Sequence, residues 1–276
     1  MAQDMSFLDD YLVRPDPQAP RLGATVSGID QTGATVETRV VTERALTLYL
    51  NAQEIVTMMT IGDHPDSLAL GYLLNQNMLK RGDVVDAVDY DEELEVVVVR
   101  TPERTNFEEK LKKKTLTSGC AQGTAFGDLM EAIDEIVLPK AELRTSWLYA
   151  LTRKINTTPS LYMEAVGRHN AVDKVAGWMF RHDVDPANMI FYTTGRLTSE
   201  MVIKTVRMGI PVLVSRSGFT EWGVELARKA GLTLIGRARG KRFVALAGEE
   251  NIVFDQNPDS VEEEGARVRR KGAGDD

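Results

Sequence analysis

A single cysteine, Cys120, stands in 276 residues. That scarcity excludes an intramolecular disulfide, a CxxC redox pair and any zinc site built from several thiolates. Histidine is nearly as rare, with three in the chain. No apolar run approaches the roughly 18 residues that a membrane-spanning helix requires. A GxxxxGK[ST] stretch is missing as well, so a plain guanine-nucleotide regulator built on a P-loop is discounted. Excess positive charge is lacking: 33 Lys and Arg face 41 Asp and Glu, a formal net charge of −8. Broad nucleic-acid binding draws on clustered cations and is not expected. The opening "MAQDMSFLDDYLVRPDPQAP" is acidic and broken by prolines, without the basic and apolar regions of a secretory signal. By elimination the expected address is cytoplasmic, with neither membrane nor nucleic acid as partner.

What is present reads as a folded α/β chain. Hydrophobic residues make up 43% and charged residues 27%, ordinary values for a globular protein, and the length suits two domains or one large one. Residues 1–25 read as a flexible arm. From 26 to 108, "ALTLYLN" alternates as a half-buried strand, with "EIVTMMT" as its pairing partner. "HPDSLALGYLLNQNML" is a helix that Asp63 or Asp66 would cap, and "VVDAVDYDEELEVVVVR" holds two strands about an acidic turn. A small α+β domain results. Residues 109–125 form a mobile loop around the cysteine. Residues 126–254 begin with helices at "GDLMEAIDEIVLP" and "AELRTSWLYALTRKINT", then repeat strand, turn, helix, which implies a parallel or mixed sheet with packed helices. Residues 255–276, nearly without apolar side chains, read as a disordered tail.

Cys120 lies in "TLTSGCAQGT", among small polar residues rather than in an apolar run. A buried, inert thiol is the common fate of a free cysteine. Here the loop leads towards an expected helix, whose N-terminal dipole would stabilise the nucleophilic thiolate, and "KLKKK" upstream adds positive charge.

Two strand-to-helix turns carry anion-binding chemistry. "TTGRLTS" offers Thr194, Gly195 and Arg196, and "SRSGFT" offers Ser215, Arg216 and Ser217. Small residues let backbone approach a phosphate, and arginine forks match its oxygens. Such residues also simply make tight turns, but two matching turns that both carry arginine point to an anionic ligand at the carboxyl edge of the sheet. A third cluster, "RARGKR", comprises Arg237, Ala238, Arg239, Gly240, Lys241 and Arg242 between two apolar strands. It reads as a phosphate or guanine-nucleotide contact at a fixed rim. "GRHNAVDK" is the densest group of functional side chains. His169, Asn170, Asp173 and Lys174 fall at a helix start, with His169 and Asp173 one turn apart. Asn170 also suits the role of helix cap.

"GRHNAVDKVAGW", "TTGRLTSEMVIKTVRMGIPVLVSRSGFTEWGVELARKAGLTLIG" and "DSLALGYLLNQNML" together resemble the formate dehydrogenase accessory sulfurtransferases, the FdhD family, from about residue 40 to 247. The resemblance implies a cytidine-deaminase-like C-terminal domain preceded by a smaller N-terminal α+β domain. It also implies a sulfur carrier. A cysteine desulfurase would load Cys120, which would pass sulfur to the molybdenum bis-guanine-dinucleotide cofactor, Mo-bis(molybdopterin guanine dinucleotide), before insertion into formate dehydrogenase. The three arginine-bearing clusters would grip the nucleotide part, for which GDP is a mimic, while His169, Asn170, Asp173 and Lys174 would orient the transfer site. A homodimer is the implied assembly. The family carries C-x-x-C where this chain has "CAQG", so Gly123 replaces the second thiol and dithiol chemistry is ruled out. The competing reading is a chaperone that binds the cofactor without using Cys120. Deaminase chemistry is rejected, because His169 opens no H-x-E and no P-C-x-x-C follows.

Overall fold

The computed structural model describes residues 19, 22–102, 115–117, 120–124, 136–154 and 161–260, with backbone alone for 115–117, 120–124 and 154. Among these the helices are α1 (Pro65–Asn75), α2 (Thr145–Lys154), α3 (Arg168–Arg181), α4 (Ser199–Arg207) and α5 (Glu221–Ala230). The chain divides into two compact units, residues 1–130 with 160–184 and residues 131–159 with 185–276.

The first unit is built on a four-stranded sheet. β3 (Arg44–Leu50) and β4 (Gln53–Thr60) form the antiparallel pair expected from their alternation, and β5 (Ala87–Asp91) pairs with β6 (Val96–Arg100) about the acidic turn. The order is β4-β3-β6-β5, with β3 and β6 parallel. Leu46, Leu48 and Leu50 of β3 and Val97 and Val99 of β6 turn one face towards Leu68, Leu70 and Leu73 of α1. Burial of that face is the main stabilisation, about 25 cal/mol per Å² of apolar surface withdrawn from water. A separate hairpin, β1 (Gly23–Ile29) with β2 (Thr35–Val41), precedes the sheet, and its first strand starts within the expected arm.

α3 packs along α1 in this same unit, although its place in the sequence grouped it with the later strand–helix repeats. The cause is a glycine seam. A Cβ on Gly71 would lie 1.7 Å from the Asp173 carbonyl oxygen, and one on Gly177 would lie 1.8 Å from that of Ser67. Only hydrogen at both positions lets the two backbones touch, and that contact recruits α3 across about a hundred residues of chain. The N-terminus of α1 also differs from expectation. Its cap position is His64, left-handed at φ 46°, and Asp66 accepts from the neighbouring Ser67 N–H. Pro65 bars the preceding residue from the right-handed helical region, and Asp63 is engaged elsewhere.

The second unit holds β10 (Ile190–Thr193), β11 (Val212–Ser215), β12 (Thr233–Arg239) and β13 (Arg242–Ala247) in that spatial order. The first three are parallel and the last antiparallel, the mixed sheet that the strand–helix repeat implies. Val212, Val214 and Ile235 point to a cluster with Leu143 and Leu148, while Leu213 and Leu234, one residue out of phase, are buried on the other face. α4 and α5 pack on each other, and α5 lies against β12 and β13. β9 (Leu143–Arg144) and β14 (Ile252–Val253) form a small parallel pair. The expected tail does not begin at Asp255. Its carboxylate accepts from the Thr145 hydroxyl, the Ser146 N–H and the Ser146 hydroxyl at 3.0, 2.9 and 2.7 Å, capping α2 from 109 residues away. The helix expected at 127–139 lies outside the described residues through 135, and 136–140 is irregular chain.

Candidate functional site

Three turns meet at the carboxyl edge of β10, β11 and β12. Thr193 ends β10, and its hydroxyl accepts from the Gly195 N–H at 3.1 Å. The Ser215 hydroxyl, at the end of β11, donates to the Gly195 carbonyl at 2.7 Å and accepts from the Ser217 N–H at 2.9 Å. One turn further out, Leu197 N–H donates to Gly218 and Thr220 N–H donates to Leu197, so the first two turns run side by side. Arg237 N–H donates to the Ser217 carbonyl at 2.7 Å and ties in the third. Thr194, Gly195, Arg196, Arg216, Ser217 and Arg237 are therefore brought together at one edge of the sheet.

The details sort these residues. Ser215 is fully buried with its hydroxyl committed to the turns, so it shapes the edge rather than touching a ligand. Ala238 is likewise corrected: it packs in the apolar cluster under the sheet. Its neighbours Arg237 and Arg239 are exposed, as are Arg196 and Arg216. Arg237 holds φ 54° at a register shift in the β12–β13 ladder, and Gly240 holds the same angle in the turn beyond it. A non-glycine residue in the left-handed region costs about 1–2 kcal/mol, and such strain collects at functional edges. Gly240 is fixed from below by the Thr152 hydroxyl, which donates to its carbonyl at 2.8 Å. Beyond it stand Lys241, half-buried, and the exposed Arg242.

Tyr192 and Phe219 were not singled out by sequence. Burial raises the Tyr192 phenol pKa, and the charges of Arg216 and Arg239 pull it the other way. Phe219 lies over Gly236, where a Cβ would stand 2.5 Å from the ring. An aromatic surface thus accompanies the cations. Both helix N-termini nearby already have first-turn glutamates, Glu200 on α4 and Glu221 on α5. The pull on an anion therefore rests on the arginines more than on helix dipoles.

The "GRHNAVDK" group lies in the first unit, and its polar ends turn inward. Lys174 is fully buried; its ammonium pairs with Asp63 and donates to the Glu164 carbonyl at 2.8 Å. Burial pushes the Lys174 pKa down, with Asp63 and Glu164 opposing. Asp173 is 1% exposed and accepts from the Asn75 amide at 2.7 Å. These two bind α3 to α1 and its leading loop, which corrects their expected role as cofactor contacts. Asn170 is not the cap, which is Gly167; its amide donates to the Met59 carbonyl at 2.7 Å. His169 is buried as well, at 8% exposure.

Cys120 opens a strand, β8 (Cys120–Thr124), paired antiparallel with β7 (Thr115–Thr117). The expected irregular loop is thus partly extended, as the β-branched threonines at 115, 117 and 124 favour. The rest of the expected 109–125 loop and the helix thought to come after it lie outside the described residues. Among those residues no group of three or more His, Cys, Asp or Glu converges as a metal site would require, and no helix is long and apolar enough to cross a membrane.

Residues 41–165 and 156–253 match the model of the FdhD/NarQ family. The sulfur carrier protein FdhD of Wolinella succinogenes is 28% identical over 225 residues, covering 74% of this chain and 79% of that protein. Its namesake in Bacillus subtilis is 27% identical over 239 residues, covering 79% and 91%. A crystal structure of a formate dehydrogenase accessory protein from Desulfotalea psychrophila aligns with a TM-score of 0.65, over 84% of this chain and 98% of that one. At 23% identity, that likeness shows the fold.

Proposed function

Because the chain belongs to the FdhD/NarQ family, we propose that it is a sulfur carrier and that Cys120 holds the sulfur. One observation carries this reading. Relatives along most of the chain are named sulfur carrier proteins, a protein-bound persulfide needs a thiol, and this chain has one. The donor is a cysteine desulfurase persulfide. Cys120 thiolate attacks its outer sulfur, the S–S bond breaks, and the desulfurase cysteine leaves as thiolate, by the displacement that governs thiol–disulfide exchange. No net oxidation occurs. The acceptor is the molybdenum bis-guanine-dinucleotide cofactor, bound as substrate before it enters formate dehydrogenase. Cys120 then departs as thiolate, and the transferred sulfur, formally zero-valent, takes two electrons from the reduced metal centre to become its sulfido ligand.

The exposed cations at the edge of the second unit suit the acceptor's pyrophosphates. Arg196, Arg216, Arg237, Arg239 and Arg242 would hold them, with Tyr192 and Phe219 giving nearby aromatic surface. Loading is tested by incubating the protein with a desulfurase and L-cysteine and measuring intact mass. One added sulfur is expected, removable by dithiothreitol and absent in Cys120→Ala. A loaded Cys120→Ala would place the carrier atom elsewhere and end this reading.

Gly123, standing where the resemblance calls for a second cysteine, favours a second reading: a chaperone that binds the cofactor and leaves Cys120 idle. Cells whose sole copy is Cys120→Ser separate the two. A carrier loses formate dehydrogenase activity with that substitution, and a chaperone keeps it.

A further inference from the structure

We propose that Arg237 is a positioning residue that acts through its backbone. Its left-handed conformation holds a bulge that sets Arg239 opposite Arg242 on the solvent side of the β12–β13 hairpin. The ladder carries the bulge. Gly236 pairs with Val244 and Arg239 with Arg242, so Arg237 and Ala238 together face Phe243 alone. Side-chain burial agrees. Ile235 and Ala238 lie three residues apart yet share one apolar cluster, with Phe243 and Ala245 of β13 packed against it. A regular strand puts residues on one face at even spacing, so one extra residue stands between them. Were β12 regular, Arg237 and Arg239 would share the face of Ile235, against Val212 and Val214.

The backbone of Arg237 is fitted to this task. At φ 54° it holds a conformation that such bulges usually reserve for glycine. Its N–H donates to the Ser217 carbonyl at 2.7 Å, which latches the bulge to the turn after β11.

A second local cost stands beside the first. Arg239 and Arg242 are like charges directly opposite each other, an arrangement that paired strands avoid. Among the described residues neither guanidinium has a carboxylate partner, whereas Lys241 in the turn has Asp259 at 4.0 Å. Backbone strain and like charge in one hairpin break two local rules together, as functional edges do. Beyond any contact of its own guanidinium, Arg237 therefore sets where two others stand. The consequence for ligand binding rests on the pyrophosphate reading of this edge; the consequence for the hairpin does not.

The test uses the full chain, with folding checked by circular dichroism. In a Cys120→Ala background, Ala238→Cys and Arg239→Cys each carry a sole thiol. Arg239→Cys should react with dithionitrobenzoate at least about tenfold faster than Ala238→Cys. Adding Arg237→Gly or Arg237→Asn, both compatible with the left-handed backbone, should keep that order. Adding Arg237→Val should cut the ratio to below about threefold. GDP binding by calorimetry is the second arm. Arg237→Gly and Arg237→Val lose the same guanidinium, so a difference between them reports the backbone alone. Arg237→Gly should bind at least about fivefold more tightly, with Arg237→Asn matching it. In an Arg239→Ala background the difference should shrink to below about twofold. If Arg237→Val does not fold, Arg237→Ala supplies the same comparison. Equal reactivity at 238 and 239 overturns the proposal, as does a reactivity order that Arg237→Val leaves untouched. The expected reactivity pattern in a protein that binds no GDP upholds the role of Arg237 and removes the nucleotide from this edge.

Discussion

His64 shows how much one side chain can report about its surroundings. It precedes Pro65, adopts φ 46°, and is partly buried near the Asp63–Lys174 pair. Burial pushes its pKa below 6.5, the Lys174 charge acts in the same direction, and Asp63 opposes. The folded chain therefore takes up this proton less readily than the unfolded chain. Stability from this group is complete above pH 6.5 and falls as pH drops below that value. Urea midpoints measured from about pH 8 to about pH 5 should decline across that window. His64→Asn tolerates the left-handed backbone and does not titrate, so its decline should be shallower. The same neighbourhood marks the limit of what sequence can show. "GRHNAVDK" is visible as a concentration of functional groups, but the partners that absorb two of them, Asp63 and Asn75, lie 111 and 98 residues away. No local pattern announces such pairings. Arg196, Arg216 and Arg239, by contrast, are readable because the carboxyl end of a strand presents its flanking residues to solvent.

Among elements, periodicity carries most of the information. Every strand of the second sheet follows from alternation or from a short apolar run, and α4 and α5 follow from their spacing. What escapes is the partner of α3. A glycine inside a helix usually signals only weakness, whereas Gly71 and Gly177 are the contact itself. Replacing either with alanine inserts a methyl group into a carbonyl oxygen of the facing helix, and neither backbone can yield cheaply. Gly71→Ala or Gly177→Ala should each lose about 3 kcal/mol in denaturant unfolding, against a gain of up to about 1 kcal/mol for the same exchange in an isolated helix. A loss below about 1 kcal/mol would mean that the helices are not in backbone contact.

Across the whole molecule, an acidic chain presents a basic edge. The net charge of −8 repels an anionic ligand at long range, while the rim arginines attract it at short range. The double variant Arg216→Ala with Arg239→Ala should weaken GDP binding roughly 10–100-fold by calorimetry. Raising salt from about 50 to about 300 mM should weaken the wild type more than the variant, since screening removes what the variant has already lost. Equal affinity in both proteins would take the nucleotide away from this edge.

The bonds linking Gly195 to Ser215, Leu197 to Gly218 and Ser217 to Arg237 have one more result. Lengthening any of these connections by a single residue would unfasten its neighbours, so their lengths can change only in concert. Anyone grafting a new ligand preference here would have to transplant the three as a cassette, leaving the span of the frame unchanged.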